Sequence, residues 1–277
     1  MEPSAGSQKV YKSYKHTLSN LGFFARFGSA FSAATIIAVY VIAVANHDID
    51  PYKSFVSDAS GDPPQSGLFG LCIVIMIVMG FPVVYLHHMQ NQVLVEAMGG
   101  VGERLNSLAL ASGSLSCLGM AVVALNPMSH VRRDGLWTWP VFVPHLIGAV
   151  LFFVTAFVHM LAQTRLMYAL AKASGGGPSS TGTAGVKTLL TGIASVCVVF
   201  KILNNTLSVV MFAPFDEDFY IKYPPNASFS IAAEWVFVFC YLLYFATYAS
   251  DFQDCTFFLD IYVLDYDPPH TQPPPEL

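Results

Sequence analysis

Residues 195–212 read SVCVVFKILNNTLSVVMF, an apolar run interrupted by Lys201 and then by Asn204, Asn205 and Ser208. On one continuous helix, offsets of +3, +4 and +7 put these small polar groups on the lysine's own face. Lys201 lies eleven residues before Phe212, roughly 16 Å along a helix, which is close to mid-membrane if the run spans a bilayer. A charge at that depth costs about 2.5–3.5 kcal/mol on the insertion scale, so it must face protein and find a partner. Glu234, near the start of the last apolar run, is the obvious counter-charge, and a lysine stem can snorkel toward it. His145, directly behind Pro144 at the start of another run, falls at the same level, and Asp58 lies in a connection before the second run. A cluster of Asp58, His145, Lys201, Asn204, Asn205 and Glu234 can serve as interhelical glue or as a site for a lipid headgroup. His145, Glu234 and Asp58 also have the types of an acid/base set, but no nucleophile accompanies them.

Such residues need elements to hold them. The 277-residue chain is 54% hydrophobic and only 11% charged, far below the roughly 25% charge of a soluble domain. Six runs reach the 20 or so residues that a bilayer core requires of a helix: 27–45, 68–86, 105–125, 141–161, 186–212 and 229–249. Barrel strands would be about half as long, so the fold class is an all-α integral membrane protein, a six-transmembrane-helix bundle. Residues 1–26 and 250–277 are expected to be cytosolic tails on either side of the transmembrane domain 27–249. The stretch AVA at 43–45 resembles a signal-peptidase site, but the run and its polar lead are long for a cleaved signal. Ala30, Ala34 and Ala38 give a small-residue contact face in the first span, as do Ser112 and Ser116 in the third. Pro82 should bend the second.

With both ends inside, eight Lys and Arg residues lie on inner segments, Arg104 and Lys187 among them, against four on outer ones, which puts both termini in the cytosol. Asn226-Ala-Ser228 is an N-glycosylation sequon in the last outer loop. Asn204-Asn-Thr206 fits the same pattern but falls within a span. The glycine- and serine-rich segment 172–185 is a flexible linker. The C-terminal tail carries six acidic residues and ends DPPHTQPPPEL. It is either a docking peptide for a cytosolic partner or a solvated tail. Cys255, just past the last span, is either a palmitoylation site or a plain thiol. The five cysteines have no metal-ligand spacing, and adjacent His87 and His88 point to different helix faces, so no metal or cofactor is expected. The net charge of −5 leaves no nucleic-acid footprint.

Four stretches occur in order: FVSDASGDPPQSGLF (55–69), RLNSLALASGSLSCLGM (104–120), HLIGAVLFF (145–153) and AAEWVFVFCYLLYFATYASDF (232–252). Together they resemble the DRAM family, the damage-regulated autophagy modulators, over about residues 20–252. Relatives of that family include plasma-membrane regulators of phosphatidylinositol 4-kinase and GPI-anchor remodelling proteins. The resemblance implies six spans with cytosolic ends and marks Asp58, Arg104, His145 and Glu234 as pattern positions, without giving them roles. Gln65 stands where the family pattern has an acidic residue after the double proline, and Lys201 is outside the pattern.

Three functions follow as expectations. The first is a non-enzymatic membrane regulator or scaffold of the DRAM type, acting in autophagy and lysosomal function or in phosphoinositide kinase recruitment, through a polar cluster that contacts membrane lipids. It would sit in lysosomal or other endomembranes, with the plasma membrane as the alternative. No P-loop, GxSxG or HExxH signature is present, which favours it. The second is a lipid or GPI-anchor remodelling enzyme. The third is a small-solute transporter, for which neither an internal repeat nor paired broken helices speak.

Overall fold

The computed structural model describes residues 10–128, 139–175, 183–211, 223–225, 227–253 and 255–264. The elements, in order, are β1 (Val10–Leu18), α1 (Leu21–Ala45), α2 (Val56–Ala59), α3 (Gln65–Ala97), α4 (Glu103–Leu125), α5 (Trp139–Ala173), α6 (Thr183–Leu203), α7 (Thr206–Met211), α8 (Ala227–Ala246), α9 (Tyr248–Asp251) and β2 (Phe257–Leu264). Among the described residues, six helices are long and apolar enough to cross a membrane: α1, α3, α4, α5, α6, and α8 continued by α9. The chain is therefore an all-α multi-pass bundle. Two helices outrun their apolar cores. The 33 residues of α3 and 35 of α5 correspond to roughly 50 Å, well beyond a 30 Å hydrocarbon layer.

The spanning helices form a closed ring. Each packs against its sequence neighbour, α1 on α3, α3 on α4, α4 on α5, α5 on α6 and α6 on α8, and α8 closes onto α1. Outward faces are as apolar as inward ones: Ile37, Leu71, Val78, Val154 and Leu189 are all exposed, as expected of helices in hydrocarbon. Contact faces are chosen by size and hydrogen bonding. At the α4–α5 crossing, a Cβ on Gly119 would lie 2.6 Å from the Phe152 amide nitrogen, and one on Gly148 would lie 2.9 Å from the Gly119 carbonyl. Only glycine admits so close an approach. Ser112 and Ser116 are buried on the same helix, as their spacing predicts. The alanine stripe of α1 does the reverse: Ala30 and Ala34 are exposed, and the buried side runs through Ala25, Ser29, Ser32, Ile36, Val39 and Ala43. Gly28, Ser29 and Ser32 supply the small surface there, and their hydroxyls and missing side chains were a poorer match to an alanine-only pattern. Pro82 lies within α3, which runs on past it as helix.

The fifth span stops early. A continuous run over 186–212 is expected from hydropathy, but α6 ends at Leu203, Asn204 and Asn205 form a turn, and α7 is a separate short helix. Asn205 has φ +48°, a left-handed conformation that asparagine tolerates and that terminates a helix. Asparagine side chains compete for backbone groups, so a pair of them outweighs the apolar residues around it.

At the opposite end, the two terminal segments pair with each other. β1 and β2 form a two-stranded antiparallel ribbon, with Leu18 opposite Phe257 and Lys15 opposite Asp260. The Lys15 ammonium sits 4.2 Å from the centre of the Phe258 ring. These segments carry β-branched and aromatic residues (VYKSYKHTL, FFLDIYVL) that favour extended chain. An isolated two-stranded ribbon is marginal in water. This one is seated on the bundle through Leu21 and Phe257, which pack on the main core, and through the Phe252–Phe257 ring contact. Both strands thus lie at one end of the bundle, called the ribbon end below. The other end, covered by the loop containing α2, is the cap end.

Candidate functional site

Glu234 stands at the cap end, in the second turn of α8, and both of its oxygens are engaged. Oε2 accepts from the Lys201 ammonium of α6 (2.8 Å), and Oε1 accepts from the Val56 amide at the start of α2 (3.1 Å). Lys201 also faces two rings, 4.5 Å from the centre of Phe153 and 5.4 Å from that of Phe55. Asp58 is buried within α2. Its Oδ2 accepts from the Phe55 amide (2.7 Å), half of a capping box, and its Oδ1 from the Tyr223 hydroxyl (3.0 Å). Burial pushes the Tyr223 phenol well above its ordinary pKa of about 10, and the negative charges of Asp58 and Glu234 add to the effect. Trp235 donates from Nε1 to the Ser54 carbonyl (3.0 Å), and Tyr40 of α1 donates to the Pro51 carbonyl (2.7 Å). Four side chains from three regions thus fix one loop over the end of the bundle.

The expected cluster is only partly assembled. Asp58, Lys201 and Glu234 come together as their types require. Asn204 and Asn205 do not join them, because the helical face that would have aligned them ends at Leu203. Asn204 donates to the Phe200 carbonyl (2.9 Å), and Asn205 is exposed in the turn. For the same reason Lys201 is not at mid-membrane: it lies in the last turn of α6, where the helix dipole favours a cation. His145 is buried below the cluster, bonded through Nδ1 to the Asn126 carbonyl (2.7 Å). It and Glu234 both border an apolar cavity inside the ring. Arg104 is exposed in the first turn of α4 at the ribbon end. Cys255 is half-buried between α9 and β2. The Asn226 sequon lies outside the described residues. Gln65 is fully buried and donates to Asp48 (2.6 Å), so the acidic residue of the family pattern would here meet a carboxylate.

A second polar cluster, at the ribbon end, was not foreseen. Asp251 of α9 bonds Lys187 of α6 and the Nε2 of His87 on α3 (2.9 Å). The Asn91 amide contacts His87 Nδ1 (3.1 Å) and donates to Gln163 of α5 (3.1 Å), leaving His87 Nε2 as the donor to Asp251. The His87 ring stacks on Tyr248 at 4.1 Å. The Tyr248 hydroxyl donates to His159 Nε2 (2.5 Å), whose Nδ1–H in turn donates to the Ala109 carbonyl (2.7 Å). Lys187 and Asp251 sit near helix ends, while His87 and His159 lie within long helices that run on past them, so composition alone did not single the cluster out. The usable signal was complementarity: His87 and Asn91 one turn apart, with Lys187 and Asp251 at the same level on other helices. Among the described residues, no group of three or more His, Cys, Asp or Glu residues is arranged to hold a metal ion.

A ring of six apolar helices with buried polar clasps at both ends defines a multi-pass membrane protein. Residues 20–255 match the family described as Frag1/DRAM/Sfk1/Cwh43P N-terminal domain, and the chain belongs to that family. It is 30% identical to DNA damage-regulated autophagy modulator protein 2 of Rattus norvegicus over 232 residues, covering 80% of each chain. It is 28% identical to DNA damage-regulated autophagy modulator protein 1 of Mus musculus over 228 residues, 81% of this chain and 88% of the relative. The Homo sapiens protein 1 is 26% identical over the same coverage. No solved structure matches.

Proposed function

We propose that this chain is a DRAM-type membrane regulator or scaffold, not an enzyme, that modulates autophagy or lysosomal function or recruits a phosphoinositide kinase. The relatives' names support the autophagy side. The observation that carries the scaffold side is Glu234: a carboxylate shared between a lysine and a loop amide is committed to holding shape, and Asp58 is committed in the same way. The ribbon joins both tails into one surface for a cytosolic partner, and the Lys/Arg distribution supports a cytosolic ribbon end. Lysosomal or other endomembranes fit this role best, with the plasma membrane as the alternative. The cavity beneath Glu234 and His145 supports contact with a membrane lipid.

A lipid or GPI-anchor remodelling enzyme is the second reading, favoured by His145 bordering that cavity. The experiment that separates them uses knockout cells re-expressing the wild type or Glu234→Gln. Autophagic flux and the GPI-anchor and lipid profiles are measured together. Altered flux with unchanged profiles is expected. A remodelling defect restored only by the wild type would overturn the regulator reading.

A further inference from the structure

The cavity inside the ring has a volume of about 150 Å³ and is partly open, walled by α1, α3, α4, α5 and α8 and roofed by α2. Its wall is hydrocarbon, from residues such as Ile73, Phe152 and Leu242. Its charged and aromatic polar groups are engaged, with one exception. Glu234 has both oxygens filled, and Ser116 and Tyr241 bond each other at 3.0 Å. The exception is His145, which is only 3% exposed. A carbonyl can only accept, so the bond to Asn126 requires the proton on Nδ1 and leaves Nε2 as a lone-pair acceptor. Among the described residues Nε2 has no hydrogen-bond partner. Buried acceptors are rarely left unmatched, because the cost of removing them from water is then not recovered. Water is a poor candidate to match it, since it needs two to four polar neighbours and this wall offers few.

We propose that the cavity binds the head and first carbons of an uncharged, single-chain amphiphile whose hydroxyl donates to His145 Nε2. The shared chemistry is a hydroxyl on an alkyl chain, as in a long-chain alcohol or a monoacylglycerol. A dry cavity of about this size takes a benzene-sized group, so the remainder of the chain passes through the opening. Charge narrows the choice further. An ionised carboxylate or phosphate diester has no proton to give and would lie beside Glu234. A cationic head would add a second positive charge to a carboxylate that Lys201 already neutralises. Fused sterol rings are wider than the benzene-sized group that a cavity of this size takes. This deepens the lipid-contact reading above and rests on it.

The test is photolabelling of the full chain in phosphatidylcholine nanodiscs with diazirine-bearing probes: hexadecanol, monopalmitoylglycerol, palmitate and a sterol. Saturable labelling of α4, α5 or α8 by the alcohol, the glyceride or both is expected, with at least about tenfold less by palmitate and the sterol, the equivalent of one hydrogen bond. His145→Asn keeps an amide where Nδ1 meets Asn126 and deletes Nε2, and should lower labelling about tenfold. Ala149→Phe, one turn further along the same wall, should fill the cavity and abolish labelling. Equal labelling by palmitate and hexadecanol, labelling indifferent to both folded variants, or no saturable labelling at all would overturn the proposal. The series of heads on the wild type decides even where a variant does not fold. Autophagic flux is a separate readout, so losing this ligand class would leave the regulator reading to its own experiment.

Discussion

Helices α6 and α8–α9 are clasped twice, once at each end, and the two clasps differ in what they hold. Lys187 and Lys201 are fourteen residues apart on α6, roughly 21 Å of helix, and each meets an acid on the partner, Asp251 or Glu234. At the cap end the acid's second oxygen goes to the backbone of a loop. At the ribbon end the acid goes instead to His87, and through Asn91 to Gln163, so side chains of α3 and α5 join in. One clasp therefore fixes a loop on the bundle and the other fixes helices to one another. Burial follows the same division: the side chain of Lys187 is 6% exposed and that of Lys201 16%. A more deeply buried lysine has less freedom to reach water when its partner is lost.

The sharpest way to break this comparison is to remove each acid. Asp251→Asn strands Lys187 inside four helices and should cost about 3–5 kcal/mol, read as loss of thermal stability of the purified protein in detergent. Glu234→Gln should cost less, about 1–3 kcal/mol, since Lys201 can snorkel from the last turn. Its signature is local: hydrogen exchange should rise at the Val56 amide and across 53–60 while the ribbon end stays protected. If Glu234→Gln proves the more damaging, or the exposure spreads to both ends, the division fails.

Tyr223→Phe sharpens the cap-end side. Below pH 10 it should cost about 1 kcal/mol, one hydrogen bond to Asp58. A raised phenol pKa means the contribution is fully present below the unfolded value of about 10 and is lost as pH rises toward the higher folded value. Stability measured from pH 9 upward should thus fall more in the wild type than in Tyr223→Phe. The smallest effects belong to Asn204→Ala and Asn205→Gly. With neither side chain in the clasp, each should change stability by no more than about 0.5 kcal/mol and leave the loop's exchange unaltered.

The six spans were legible because a long apolar run has one way to satisfy its backbone in lipid. The Lys201–Glu234 pair was legible for a related reason: two opposite charges in neighbouring apolar runs have few alternatives. What escaped was decided by local backbone competition or by position. Hydropathy averaged over 186–212 hides the two asparagines that end α6, and with them the depth of Lys201. Asp58 was marked by type and by resemblance, but its partners were not legible, since its work is to bond an amide three residues away and a tyrosine 165 positions on. Lys187 and Asp251 sit near helix ends, where charge is ordinary, His87 lies ten residues short of the end of α3, and nothing in one sequence says that the three converge. The ribbon escaped because its strands are separated by nearly the whole chain.

That separation has a consequence during synthesis. The opening strand leaves the ribosome first and must wait, unpaired, until every hydrophobic segment has been threaded and the closing strand emerges. Each missed or extra insertion would strand the two halves of the zipper in different compartments. Only an even number of crossings lets them meet, so a closed zipper is a parity mark that the bilayer itself enforces.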